Sequence, residues 1–189
     1  MVRMVTILFS NFMLLWVASF AVDGIISIDD SKDIFQKMLL TATVSAVVLT
    51  PLLGFAADKI PSTVIAPYAF LLRAACGFGF LIVSDPRSSL ATFFCTGLCV
   101  FSMLQSICME VLLMKGMPNR IRGTMMGMYS FFVILGKFTF TLMSGFLFDK
   151  VGRTTPFIYM AGCDSVAFLV AIILVATGRF KRRKDQEVE

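Results

Sequence analysis

The sequence predicts an all-α membrane protein with six transmembrane helices, and two observations support that prediction. Hydrophobic residues make up 58% of the 189 residues and charged residues 15%, and the mean hydropathy is +0.86. Soluble domains contain roughly 45–50% apolar and about 25% charged residues. In addition, the apolar residues fall in separate blocks of about twenty, the length that crosses ~30 Å of hydrocarbon.

The six apolar blocks are joined by short connections that hold most of the charged and turn-forming residues. The fourth and fifth blocks are long enough to predict a tilt, and Pro51 predicts a kink in the second. The connections lie at residues 29–33, 58–61, 85–87, 115–122 and 149–153. The blocks themselves cover residues 4–26, 38–57, 64–83, 90–114, 124–148 and 157–177.

The first block has a second interpretation. Arg3, followed by an apolar run that ends near residue 21, resembles a secretory signal peptide. The run is long for such a peptide and contains Asn11 and Trp16. We therefore favour a transmembrane helix.

Lysine and arginine positions predict that both termini are cytoplasmic. An even number of spans places both termini on one side, and the side richer in Lys and Arg is normally the cytoplasm. Ten such residues lie on the side of the termini, and five lie on the other. The ten are Arg3, Lys59, Lys115, Arg120, Arg122, Arg179, Lys181, Arg182, Arg183 and Lys184, and the five are Lys32, Lys37, Arg87, Lys150 and Arg153.

The composition also restricts the possible chemistry. The chain contains no histidine, which excludes Ser-His-Asp and Cys-His catalysis and His-ligated metal sites. All five cysteines lie in apolar blocks, where we interpret them as small packing residues. We expect no catalytic residue, no metal, no cofactor and no enzyme activity. Residues 179–189 form a basic and acidic tail, which we interpret as a cytoplasmic flank rather than a nucleic-acid-binding segment.

A short repeat divides the predicted membrane domain, residues 1–178, into two parts. The pattern G-F-x-x-D-K occurs at residues 54–59 and again at residues 145–150, and the same offset relates Arg73 to Asp164. We therefore predict two three-helix repeats, residues 1–87 and 88–178. Units with an odd number of crossings must be inverted relative to each other, and inverted repeats are typical of secondary transporters.

The residues of these segments resemble motifs of the major facilitator superfamily, in its C-terminal six-helix half. That family carries G-x-x-x-D-[RK]-x-G-[RK]-[RK] after its second helix and a degenerate copy after its eighth; here Pro61 and Ser62 replace the Gly-Arg of that copy. The resemblance implies that Asp58 helps to hold a cytoplasmic gate, whereas helix capping is the alternative for Asp58 and Asp149. The matching residues are Gly54, Asp58 and Lys59 in that loop, Arg122, Gly123 and Gly127 at the entry to the eleventh helix, and Gly145, Asp149 and Gly152 at its exit.

The resemblance also predicts the partners. The family has twelve helices, and its first six have no counterpart in this sequence. We expect either a truncated chain, which we favour, or a half-transporter that dimerises. The expected partners are therefore the lipid bilayer, a small-molecule solute, and either the missing N-terminal six-helix half or a second copy.

Ionisable residues inside the spans are the main candidates for function, because each costs about 3 kcal/mol at a helix centre unless it has a partner or faces water. Arg73 and Asp164 are candidates for an intramembrane ion pair, or for two residues that separately face polar surroundings. Lys137 is the strongest candidate for contact with solute, and by resemblance its helix faces the interface between the two halves. The alternative for Lys137 is an ion pair with Glu110 or Asp23.

Two helices carry a polar stripe at helical spacing. In the fourth block the stripe runs from Thr92 to Glu110 and is bordered by Gln105. In the fifth block it includes Gly127, Ser130, Lys137, Thr141 and Ser144. Such a stripe indicates either close helix packing or the wall of an aqueous cavity. The cavity candidates are Lys137, Glu110, Gln105, Ser130, Thr141 and Asn11.

From the sequence we therefore expect a secondary transporter, or a half or fragment of one, that moves a small solute by alternating access. The alternative is a non-transporting membrane fragment or assembly partner derived from a transporter. An intramembrane enzyme is disfavoured, because there is neither a histidine nor a nucleophile motif.

Overall fold

The computed structural model describes residues 12–115 and 121–177, without the side chains at positions 57, 58, 62, 114 and 115. Six α-helices account for most of this part of the chain. They are α1 (Met13–Val22), α2 (Ile28–Lys59), α3 (Ser62–Gly79), α4 (Ser89–Lys115), α5 (Arg122–Lys150) and α6 (Thr155–Ala176).

Four of the helices are long and apolar enough to cross a membrane, as expected of a multi-pass integral membrane protein. They span Ile28–Ala56, Ser89–Leu113, Arg122–Lys150 and Thr155–Ala176. Met13–Val22 and Thr63–Gly79 form shorter apolar helices. Of the predicted first span, residues 4–26, the structure describes residues 12–26, and Met13–Val22 is α-helical.

The start of α2 differs from the sequence prediction. Residues 29–33, predicted as a connection, form the first turns of the helix. The Ser27 side chain caps it by accepting a hydrogen bond from the Asp30 amide at 3.1 Å. Asp29 and Asp30 also lie in the first turn, where the partial positive charge of the helix N-terminus favours carboxylates. The helix therefore begins ten residues before the predicted apolar span, and it continues through Pro51.

The bundle is centred on α3, which packs against α4 on one side and α6 on the other. α4 also packs against α2, and α2 against α1, whereas α5 packs mainly and less extensively against α6. Gly77 and Gly97 allow the close approaches around α3. A Cβ at Gly77 would lie 2.9 Å from the Ala161 Cβ, and one at Gly97 would lie 2.7 Å from the Cys76 Sγ.

An aromatic cluster forms the core at one end of the bundle, called here the Asp23 end. Trp16 of α1 contacts Phe20, Phe80 and Phe157 edge to face, with centroid separations of 5.2, 5.4 and 6.1 Å. Phe80 and Phe157 stack at 4.4 Å. These rings join α1, α3 and α6. The opposite end, where α2 ends and α3 begins, is called here the Lys59 end.

Candidate functional site

A buried ion pair joins α3 and α6 near the middle of the bundle. Arg73 and Asp164 are 0% and 1% exposed. The Arg73 Nε donates to Asp164 Oδ2 at 2.6 Å, and Nη2 donates to Oδ1, so the contact is bidentate. The sequence left two possibilities for Arg73 and Asp164, an ion pair or two residues that separately face polar surroundings, and the structure has the ion pair. Since each charge offsets the other, neither is free to balance a third charge.

Lys137 lies on the side of α5 that faces the bundle. It shares this side with Val133, Phe140 and Ser144, one to two turns away, and Phe140 and Ser144 are buried. The Phe140 ring stacks on Tyr159 of α6 at 5.7 Å, which shows that this face is directed at α6. The Lys137 side chain is half-buried.

The expected ion-pair partners of Lys137 are engaged or directed elsewhere. Asp23 pairs with Arg153, and Glu110 is exposed. No described residue forms an ion pair with Lys137. The structure thus shows no ion pair between Lys137 and either Glu110 or Asp23, and the alternative stays a prediction.

A cleft of about 470 Å³ lies between α5 and the helices α3, α4 and α6, in the half of the bundle nearer the Lys59 end. Its lining residues are almost all apolar, and none is charged. Phe70 of α3 and Val133 of α5 are the lining residues closest in sequence to Arg73 and Lys137. The cleft thus approaches both cations from the Lys59 end.

The Asp23 end carries two ion pairs in addition to its aromatic cluster, and a pocket of about 410 Å³ lies beside one of them, lined in part by Asp30, Asp33, Lys37 and Arg87. Arg153, between α5 and α6, pairs with Asp23 and lies 3.9 Å from the Phe20 ring centroid. Arg87, between α3 and α4, donates to Asp30 of α2 at 2.6 Å. Gly24 and Gly152 adopt positive φ angles of 74° and 153° beside Asp23 and Arg153, which favours glycine in both turns.

Sequence reasoning did not identify either of these ion pairs. The available signal was the acidic stretch after the first block together with the basic residues Arg87 and Arg153 on the same side of the membrane. Spacing alone does not say which loop approaches which.

The polar stripe of α4 is mostly buried in helix packing. Ser102 donates to the Cys99 carbonyl at 2.7 Å and Ser106 to the Ser102 carbonyl at 2.9 Å, so their hydroxyls are satisfied within the helix. Gln105 is fully buried, and neither polar atom of its amide has a hydrogen-bond partner among the described residues. Among the α4 cavity candidates, Gln105 is therefore enclosed and Glu110 is directed outward.

The α5 stripe turns toward the bundle only in its second half. Ser130 is exposed, whereas Thr141 is half-buried and donates to the Lys137 carbonyl at 3.0 Å. A Cβ at Gly123 or Gly127 would meet no described atom within 4 Å. The Thr141 hydroxyl is therefore satisfied within its own helix, and the two glycines have no packing partner in the described part of the chain.

The remaining motif residues lie at helix ends. Lys59 is exposed, with its ammonium 4.4 Å from the Phe55 ring centroid, and Asp58 lies in the last turn of α2. Arg122 and Asp149 are exposed at the two ends of α5. Gly54 and Gly145, like Gly123 and Gly127, have open space beside them. Asn11 lies outside the described residues.

Within residues 12–115 and 121–177, no group of three or more His, Cys, Asp or Glu residues could hold a metal ion. Comparisons with protein-family models, with curated proteins and with solved structures gave no match to this chain.

Proposed function

We propose that this chain is one six-helix half of a secondary active transporter that moves a small solute by alternating access. The observation on which the proposal rests is Lys137, a half-buried cation in the middle of a membrane-length helix. No described acid pairs with it, and it lies beside a cleft. An isolated ammonium at that depth is costly, and substrate pathways are where such residues are retained.

The exposed sides of α2 and α5 support the need for a second six-helix unit. α5 exposes many large apolar residues and packs mainly against one neighbour. Gly54 of α2, and Gly123, Gly127 and Gly145 of α5, have open space where a Cβ would be. Small residues on a membrane helix allow another helix to approach closely. We propose that the missing N-terminal half, or a second copy, packs there.

The Arg73–Asp164 pair supports two inverted repeats. The two residues are 91 positions apart, the same offset that relates the two G-F-x-x-D-K segments. Equivalent residues of two repeats contact each other only near the axis that relates the repeats. The pair therefore fits an axis between α3 and α6, as expected of a C-terminal half of a major facilitator superfamily transporter.

Alternating access is supported by the contrast between the two ends. The Asp23 end has an aromatic core, two ion pairs and a pocket lined mostly by polar and charged residues, whereas the apolar cleft lies toward the Lys59 end. We propose that both termini are cytoplasmic, from the distribution of Lys and Arg. In that orientation the cleft lies in the cytoplasmic half of the bundle.

The test is uptake of labelled small solutes by membrane vesicles from cells that express the chain, compared with vesicles that lack it. Lys137→Ala should abolish any uptake that depends on the chain, while the amount of folded protein stays unchanged. Lys137→Arg should alter the apparent affinity, because it keeps the charge but changes its geometry. Equal uptake in vesicles with and without the chain would favour a non-transporting fragment or assembly partner.

A further inference from the structure

The apolar cleft and Lys137 lie at consecutive turns of the same face of α5. We propose that together they form one binding site for a small organic anion with an apolar body, such as a carboxylate with a hydrocarbon chain. The inference rests on the proposed transport function for its physiological meaning, and it specifies the class of solute.

The cleft supplies the part of the site that would hold the apolar body. Its volume of about 470 Å³ lies within the range of roughly 300–1,000 Å³ typical of small-molecule sites. Each of α3, α4, α5 and α6 contributes apolar residues to the lining, and the few polar side chains there are Thr63 and Tyr129. A solute rich in hydroxyl or charged groups would lose its hydration in this cleft without gaining hydrogen bonds.

Lys137 supplies the part of the site that would hold the anionic group. Val133, which lines the cleft, precedes Lys137 by four residues, an advance of about 6 Å along a helix. Lys137 does not itself line the cleft, but side chains on an α-helix lean toward its N-terminus, which for Lys137 is the direction of Val133. The four-carbon stem of a lysine can span that separation.

The charges of the described residues near the cleft favour an anion over a cation. Arg73 lies one turn beyond Phe70, which also lines the cleft, but its charge is offset by Asp164. Lys137, four residues from the lining residue Val133, has no ion-pair partner among the described residues. No carboxylate among the described residues lines the cleft, so these residues offer no counter-charge to a cationic group.

The test compares three probes that differ only in their head group: dodecanoate, dodecanol and dodecyltrimethylammonium. Binding of each is measured to the full chain, purified in neutral detergent micelles at neutral pH. We expect dodecanoate to bind about tenfold or more tightly than either other probe, as a charge-assisted contact predicts. Lys137→Gln should remove this preference by weakening dodecanoate and leaving dodecanol unchanged.

Two further variants distinguish the contribution of the Lys137 charge to binding from the contribution of the apolar cleft. Lys150→Gln removes a cation at the exposed end of the same helix, and it should leave the binding of all three probes unchanged. Ala171→Phe fills the cleft from α6, and it should weaken dodecanoate and dodecanol alike. The fluorescence of Trp16, the one tryptophan and a buried one, reports whether each variant is folded.

Equal binding of dodecanoate and dodecanol, or a tenfold preference that survives Lys137→Gln, would overturn the inference. Displacement of dodecanoate by equimolar acetate would also overturn it, because the apolar body would then contribute nothing. Displacement by phosphatidylglycerol but not by decanoate would assign the cleft to a membrane lipid instead. Selective binding of dodecanoate in a chain that moves no solute would support the site and refute the transport proposal. Uptake of a polar solute by a chain that binds dodecanoate without preference would support the transport proposal and refute the anion site.

Discussion

Arg73 and Asp164 lie 91 residues apart in the chain and meet as a bidentate, fully buried ion pair between α3 and α6. The pair connects α6 to α3, the helix at the centre of the bundle. The Arg73 Nη1 atom has no hydrogen-bond partner among the described residues. The Asp164 carboxylate therefore offsets most of the cost of burying the Arg73 charge.

We predict that breaking this pair destabilises the fold much more than replacing it. Asp164→Asn or Arg73→Met alone leaves a buried charge uncompensated, at a cost of about 3–5 kcal/mol. The double variant Arg73→Met/Asp164→Leu buries no charge and should regain most of that loss. The measurement is thermal unfolding in detergent, followed by Trp16 fluorescence. Single variants as stable as the native chain would contradict the structural role of the pair.

At the Asp23 end, Arg153 contacts both Asp23 and the Phe20 ring, and Phe20 in turn contacts Trp16. We predict that Arg153→Ala opens this end. Stability should fall by only about 1 kcal/mol, because the ion pair is partly exposed, but acrylamide should quench Trp16 fluorescence more strongly.

The matched control for that prediction is Arg87→Ala. It breaks the ion pair with Asp30, which is at the same end but involves neither ring. Quenching of Trp16 should stay at the native level in this variant. An equal rise in quenching for both variants would mean that the end opens as a whole, independently of the Arg153–Phe20 contact.

The proposed orientation predicts different labelling of two introduced cysteines. Lys32→Cys, in the first turns of α2, should react with a membrane-impermeant maleimide from outside intact cells. Lys184→Cys, in the basic tail, should react only after the membrane is permeabilised. The native chain gives the background from its own five cysteines. Equal labelling of both positions from outside would refute the orientation.

The helices could be predicted from the sequence because membrane spans depend mainly on composition over about twenty residues. The Arg73–Asp164 pair could be anticipated because both charges lie at similar depth inside apolar blocks, where unpaired charges are costly. The pairing of Asp23 with Arg153 could not be anticipated from the sequence, because it depends on which connections between helices lie next to each other. The start of α2 was misplaced because its first turns are polar and are held by a cap at Ser27 rather than by hydrophobic burial.

The last prediction concerns the unpartnered face of α5. If a second copy packs there, Gly127→Leu should abolish the co-purification of two differently tagged copies from detergent. The stability of the single chain should not fall, because a Cβ at this position has no described atom within 4 Å and a leucine favours a helix over glycine by up to about 1 kcal/mol. Gly77→Leu is the contrasting control, since its side chain would collide with Ala161 inside the bundle and cost about 1–3 kcal/mol or more.

Size-exclusion chromatography with Trp16 unfolding measures both properties on the same samples. Co-purification that survives Gly127→Leu, or that is already missing from the native chain, would refute packing of a second copy through this face.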